Sequence, residues 1–249
     1  MDETAAPVTV DRVLGGRVTL RQPAKGYRAG LDAALLAAAC DATAGERVID
    51  VGCGVGAVML AAAARRPGVR FVGIERDAAA LGLARENVLA NAVQDRIEGR
   101  EVDVGASRWP AGDRFDAALC NPPFFDDPAA LRAPHPAKRG AFVADDGLGA
   151  WVGFLLAAVR DGGTITLIHR ADRLGDALAL LGAKAGSLQL RPIHPFADAP
   201  ASRVLVRAVR GGRAPLRLLP GLILHLRGQS RHTHEAEAIL RGEAELPWL

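Results

Sequence analysis

The segment Arg47 to Arg65, "RVIDVGCGVGAVMLAAAAR", changes character in its middle. A short apolar, β-branched run ends at Asp50, glycines stand at 52, 54 and 56, and an alanine-rich run of helical length extends from Val55 to Arg65. A buried strand that turns through glycines directly into a helix restricts the fold severely. The glycines let the backbone turn tightly and approach a ligand, while the start of the helix presents N–H groups with no partner inside the helix.

The rest of the chain repeats the alternation. "VRFVGIE" (69 to 75), "FDAALC" (115 to 120) and "GTITLIH" (163 to 169) read as further buried strands, and "IEGREV" is strand-like. Asp77 to Ala92, Leu148 to Arg160 and Arg173 to Leu181 have helical length and composition. Strand and helix in turn predict an α/β fold, a doubly wound and mostly parallel Rossmann-like sheet. The ends depart from this pattern. "VTVDRVLGGRVTLRQP" has two alternating runs around Gly15-Gly16, a hairpin signal, and Gly30-Leu31-Asp32 opens a helix through Cys40. Near the other end, "SRVLVRAVR" and "LRLLPGLILHL", joined by "GGRAP", suggest an antiparallel C-terminal edge, and a short helix is expected from His234 to Arg241. We see no repeat, linker or composition break. The expectation is one domain, with residues 1–44 as an N-terminal extension over a Rossmann-like core at 45–249.

Glycines 52 and 54 with Ala57 satisfy a dinucleotide fingerprint, and Glu75 lies where a ribose-binding acid belongs, about 20 residues on at the end of the second strand. That pattern alone fits NAD and S-adenosylmethionine equally. Asp50 favours the second, because a carboxylate beside the glycines suits a cationic aminoacyl group and repels a pyrophosphate. The stretch "NPPFF" (121 to 125) points the same way. At a strand end it offers the Asn121 side-chain oxygen and the Pro122 carbonyl as two acceptors, with Phe124 as a flat face beside them. Such a site fits an exocyclic amine on a planar ring. The amine's lone pair is delocalised into the ring, and two acceptors on its N–H bonds favour a pyramidal nitrogen able to attack a methyl group. No metal is needed, since the donor is cationic and positioning supplies much of the rate.

A net charge of +3 and a pI near 9.0 suit a polyanionic partner without requiring one. Apolar runs such as "LDAALLAAAC" fall well short of the roughly 20 residues that span a bilayer. With an acidic N-terminus, "MDETAAPVTVDR", no secretory signal is read, and the expectation is a cytoplasmic protein without membrane contact. Cys40, Cys53 and Cys120 form no CxxC pair and read as small buried residues.

With these motifs in place, the sequence resembles class I S-adenosylmethionine-dependent methyltransferases, specifically the amine-methylating group with (D/N)PP(Y/F/W). Within that group "GYRAGLDAALLAA", "VIDVGCGVGAVML", "GIERD", "NPPFF" and the tail "RAPLRLLPGLILHLRGQSRHTHEAEAILRG" are similar to the bacterial tRNA(Val) adenine N6-methyltransferases. The resemblance implies that Asp50, Gly52 and Gly54 line the methionine part of the cofactor, that Glu75 holds the ribose, and that Asp103 sits near the adenine. It also implies that Asn121, Pro122, Pro123 and Phe124 hold the target amine, and that Tyr27 and Gly30 close the cofactor pocket from the N-terminal side. The implied substrate is RNA, in particular a tRNA.

Other residues carry plainer readings. Asp32 is an acid in a helix's first turn, stabilising in itself. Phe125 and Cys53 are packing residues, and His232 and His234 lack a third metal ligand. Seven arginines from Arg203 to Arg231, with no acid among them, form either a solvated strand face or a phosphate-binding surface. Lys138 and Arg139, in the proline-rich loop after the motif, are placed to touch a substrate backbone. The same chemistry would serve a guanine N2 in ribosomal RNA or a glutamine side chain in a protein. A non-catalytic RNA-binding module keeping the fold is the rival from another class.

Overall fold

Strands β3 (Arg47–Val51) and β6 (Phe115–Cys120) are buried over almost their whole length, which places them side by side at the centre of the sheet. The computed structural model describes residues 7–25, 28–123 and 147–248. Beyond β3 lie β4 (Arg70–Glu75) and β5 (Ile97–Glu101), and beyond β6 lies β7 (Val159–Arg170). All neighbouring pairs in this group run parallel. The crossovers are helices α2 (Ala57–Arg65), α3 (Ala78–Ala90) and, ahead of β7, α4 (Gly147–Ala158). The strand order reverses between β3 and β6, creating a crevice outside their carboxyl ends where α/β sheets bind ligands.

The C-terminal part differs from the sequence reading in one respect. Strand β9 (Arg203–Arg210) is antiparallel as expected, but its antiparallel neighbours are β7 and β8 (Ala185–His194), which follows α5 (Leu174–Leu181). The run from 216 to 226 contributes only the two-residue strands β10 (Arg217–Leu218) and β11 (Leu222–Ile223), both parallel to β8. Pro220 separates them and prevents a continuous strand. β8 escapes a sequence reading because it carries Gly186, a left-handed Ser187 (φ 50°) at a register shift, and Pro192.

The N-terminal hairpin of β1 (Val8–Val13) and β2 (Val18–Pro23) turns at Leu14-Gly15-Gly16, all with positive φ. It is attached to the core through α3. Thr19 N donates to Asn91 Oδ1 at 2.9 Å and Arg21 N to Asn87 Oδ1 at 2.7 Å, while the two side-chain amides return bonds to Thr19 O and Arg21 O. Two asparagines one helical turn apart thus take the place of a neighbouring strand. Helix α1 (Leu31–Ala38) then packs on α2, and the closing helix α6 (His234–Arg241) packs on α1. Two apolar clusters fill the space on the two faces of the sheet. One is centred on α1, α2 and the hairpin, the other on α4, α5 and Phe115.

Candidate active site at the sheet's switch point

The turn after β3 is built by glycine. Gly52, Gly54 and Gly56 have φ of 75°, 53° and 86°, a region that favours residues without a Cβ. Gly52 N and Cys53 N both donate to Ile74 O at 2.9 Å, which pins the loop to the end of β4. Gly56 caps α2, and Gly73 lets the loop descend onto β4, since a Cβ there would lie 2.6 Å from Met59 Sδ and 2.8 Å from Cys53 Sγ. At Gly54 a Cβ would have no other atom of the described residues within 4 Å beyond its chain neighbours, which leaves room there for a ligand's approach.

Two carboxylates brace this loop. Glu75 Oε2 accepts from Gly54 N at 3.1 Å, while Oε1 accepts from Arg76 N and Asp77 N at 2.8 and 2.9 Å. Asp77 then caps α3 through Ala79 N and Ala80 N. Asp50 is 1% exposed and its Oδ2 accepts from Met59 N at 3.2 Å. Burial pushes its carboxyl up to about 7, against the lowering effect of the Met59 hydrogen bond and with a further rise from the Glu75 charge. Sequence reasoning treated Asp50 as a wall of the pocket; what the structure shows is Asp50 tying β3 to the first turn of α2.

Asn121 and Pro122 follow β6 directly. Cys120 pairs with Val51, so Asn121 and the glycine loop leave the paired ends of two adjacent strands. Pro122 is buried, and Asn121 and Pro123 are half-buried. Asp103 lies two residues past β5, and Val102 N donates to Glu75 O at 3.0 Å, which keeps Asp103 on the same edge of the sheet. Its Oδ1 accepts from Gly105 N at 2.9 Å, an Asx turn. Gly30 precedes α1 and, with Ala57, lines a groove of about 600 Å³ between the hairpin, α1, α2 and α6. Tyr27, Phe124, Phe125, Lys138 and Arg139 lie outside the described residues.

Sequence reasoning missed Trp151, whose only signal was an aromatic in the helix following the Asn-Pro-Pro segment. A Cβ on Gly52 would lie 2.5 Å from its Cη2 and 2.6 Å from its Cζ3. The arginine run is also divided by the structure. Arg203, Arg207, Arg210 and Arg227 pair with Asp32, Asp41, Asp161 and Asp198, whereas Arg213, Arg217 and Arg231 are exposed. His232 stacks on His225 with centroids 4.7 Å apart. The three cysteines are buried, and burial raises the thiols, Cys40 to about 11 and Cys53 and Cys120 well above the usual range. Among the described residues no helix is long and apolar enough to cross a membrane.

A glycine loop at the switch point, an acid at the end of the next strand and a reversed strand beside β7 define a class I S-adenosylmethionine-dependent methyltransferase. The comparisons agree. Residues 28–133 match the family described as methyltransferase small domain. The crystal structure of protein Atu636 from Agrobacterium tumefaciens, described as a predicted O-methyltransferase, superposes with a TM-score of 0.71 at 27% identity, covering 86% of this chain and 98% of that one. The tRNA1(Val) (adenine(37)-N6)-methyltransferase of Dickeya chrysanthemi is 31% identical over 76% of this chain and 75% of its own length, and the chain belongs to that family. The Bacteroides thetaiotaomicron protein of the same name is 39% identical over 40% of this chain, a match spanning 42% of the relative's length. The release factor glutamine methyltransferase of Chlorobaculum tepidum is 28% identical over 63% of this chain and 56% of its own length.

Proposed function

We propose that this chain methylates the exocyclic N6 of an adenine in tRNA, in the cytoplasm. The observation that supports the proposal is that the glycine loop and Asn121 follow directly on the paired residues Val51 and Cys120, where a carboxamide would hold an amine beside the methyl donor. The residues fit S-adenosylmethionine, because there is room at Gly54 and Glu75 sits at the loop's edge. When bound, the cofactor supplies an electrophilic methyl on a cationic sulfonium. Gly52 and Gly54 would flank its methionine part, Glu75 would exchange its Gly54 bond for ribose hydroxyls, and Asp103 would approach the adenine. Asp50 would contribute from beneath the loop, and Gly30 from the N-terminal side with Tyr27.

Asn121 Oδ1 and the Pro122 carbonyl would accept the two amine N–H bonds and keep the nitrogen lone pair directed at the methyl carbon. Pro122 and Pro123 fix the backbone that aims this carbonyl, so little reorganisation accompanies reaction. Phe124 would stack on the splayed-out base, and Lys138 and Arg139 would meet its backbone.

The test is incubation with labelled S-adenosylmethionine and unmodified total tRNA, followed by nucleoside mass spectrometry. N6-methyladenosine is expected with the parental protein. With Asn121→Ala, cofactor binding should persist and turnover should fall by about 10²-fold or more. Label in a glutamine-containing protein instead, with none in tRNA, would replace this reading by the chemistry named for the Chlorobaculum relative.

A further inference from the structure

We propose that the groove between the N-terminal hairpin, α1, α2 and α6 holds an unpaired nucleotide of the substrate RNA, with the arginines around it meeting the flanking phosphates. The proposal rests on the tRNA reading above and adds a second contact with the same RNA, made by residues other than Asn121 to Phe124. The groove measures about 600 Å³, within the range of roughly 300–1,000 Å³ common for ligand sites. Its walls are aliphatic, with Leu14 and Leu20 from the hairpin, Leu31 and Ala34 from α1, Ala61 from α2 and Leu240 from α6. Ala57 also lines it and directly follows Gly56, so the groove starts where the glycine loop ends.

Charge selects the occupant. The polar side chains lining the groove are Arg12, His232, Glu237 and Arg241. Glu237 is neutralised by Arg241, whose Nε donates to Oε1 at 2.7 Å, and His232 Nδ1 lies 3.5 Å from Oε2. Arg12 is exposed and has no carboxylate partner among the described residues. Arg17, across the hairpin turn, has none either, and its guanidinium donates to the carbonyls of Ala64 and Gly242. The same holds for the exposed Arg231, which directly precedes His232. The surplus charge around the groove is therefore positive. Aliphatic walls alone would also suit a peptide. The uncompensated guanidiniums and the continuity with the glycine loop favour RNA, which brings a phosphate with every nucleotide and, where unpaired, a splayed base that apolar walls can hold.

The test is binding of unmodified total tRNA, by fluorescence anisotropy over a salt series, to the parental protein, Arg12→Gln, the double variant Arg12→Gln with Arg231→Gln, and Ala34→Leu. Calorimetry with S-adenosylmethionine runs alongside. Arg12→Gln should lower the slope of log affinity against log salt by about 0.7, and the double variant by about 1.4. Ala34→Leu fills the groove with carbon and should weaken binding about fivefold or more at every salt concentration with the slope kept, because the contact it displaces is uncharged. S-adenosylmethionine affinity should be unchanged throughout. Circular dichroism melts verify folding, and the arginine variants, at exposed positions, decide the matter if Ala34→Leu does not fold. Parental slopes in both arginine variants, or parental tRNA affinity in a folded Ala34→Leu, would overturn the proposal and leave the groove to a protein partner. Parallel losses of tRNA and S-adenosylmethionine affinity in Ala34→Leu would make the groove part of the cofactor pocket and overturn it equally. A parental protein that binds no tRNA would refute the tRNA reading itself, a result recognisable before any variant is made.

Discussion

The carboxylate of Glu75 accepts a hydrogen bond from Gly54 N across the mouth of the glycine loop, joining the end of β4 to the turn after β3. A single side chain therefore ties the loop to the start of the next connection, through Gly54 N on one oxygen and Arg76 N and Asp77 N on the other. Glu75→Ala should reduce S-adenosylmethionine affinity by about tenfold or more, since charge-assisted bonds of this kind contribute roughly 1.5–3 kcal/mol. Unchanged affinity by calorimetry would take Glu75 out of the ribose site.

Asp50 makes stability depend on pH in an unusual direction. Its carboxyl is raised by burial to about 7 in the folded chain, while the unfolded chain has the ordinary value of 3.8. Between those values the folded state holds a proton that the unfolded state has released, so this contribution is complete below the unfolded value and is lost as pH rises through about 7. Asp50→Asn cannot lose it. The ligand-free variant should gain on the parental protein by up to roughly 4 kcal/mol between pH 4 and pH 8, as each pKa unit corresponds to about 1.4 kcal/mol. Parallel urea-midpoint profiles of the two proteins over that range would contradict this account.

Asn87 is fully buried and uses both ends of its amide. Its Oδ1 accepts from Arg21 N, and its Nδ2 donates to Arg21 O and Val55 O, which links the N-terminal hairpin to the loop preceding α2. Asn87→Leu keeps the branched shape and heavy-atom count but strands three backbone groups. A loss of about 2–4 kcal/mol is expected in denaturant unfolding. A variant as stable as the parent would mean that water or a shifted backbone satisfies those groups.

The arginines should divide by their partners. Arg207→Gln breaks the pair with Asp41 and should lower stability while leaving the salt dependence of tRNA binding in place. Arg213→Gln with Arg217→Gln, both at exposed positions, should leave stability nearly unchanged. If these two meet phosphates, the slope of log affinity against log salt should fall by roughly 0.7 for each phosphate no longer neutralised. A slope identical to the parental one would exclude them from the RNA surface.

The central α/β order was legible because β3, β4, β6 and the inner part of β7 are apolar runs bounded by turn residues, and "FDAALC" coincides with β6. The glycine loop, Glu75 and Asn121 fall on one edge of the sheet because all follow parallel strands. Their proximity thus came from topology. The partner of β9 was not legible, because β8 combines Gly186, Ser187 and Pro192 in a strand that survives through its pairing with β9 on one side and with β10 and β11 on the other. Asp32 and Asp41, which neutralise Arg203 and Arg207, are far away in sequence, and a window over 203 to 231 could not reveal them. The contact between Trp151 and Gly52 is equally nonlocal, and one glycine among several gives no sign of which ring it must accommodate.

Cys53 turns the glycine loop into its own timekeeper. The thiol is buried against Gly73, and burial holds it far from ionising, so an alkylating reagent can meet it only in the intervals when the loop lifts from β4. Peptide mapping separates its modification from that of Cys40 and Cys120. The rate at Cys53 then reports the fraction of time the loop stands open in the native chain, and a ligand that stiffens the loop would lower it without any label having been introduced.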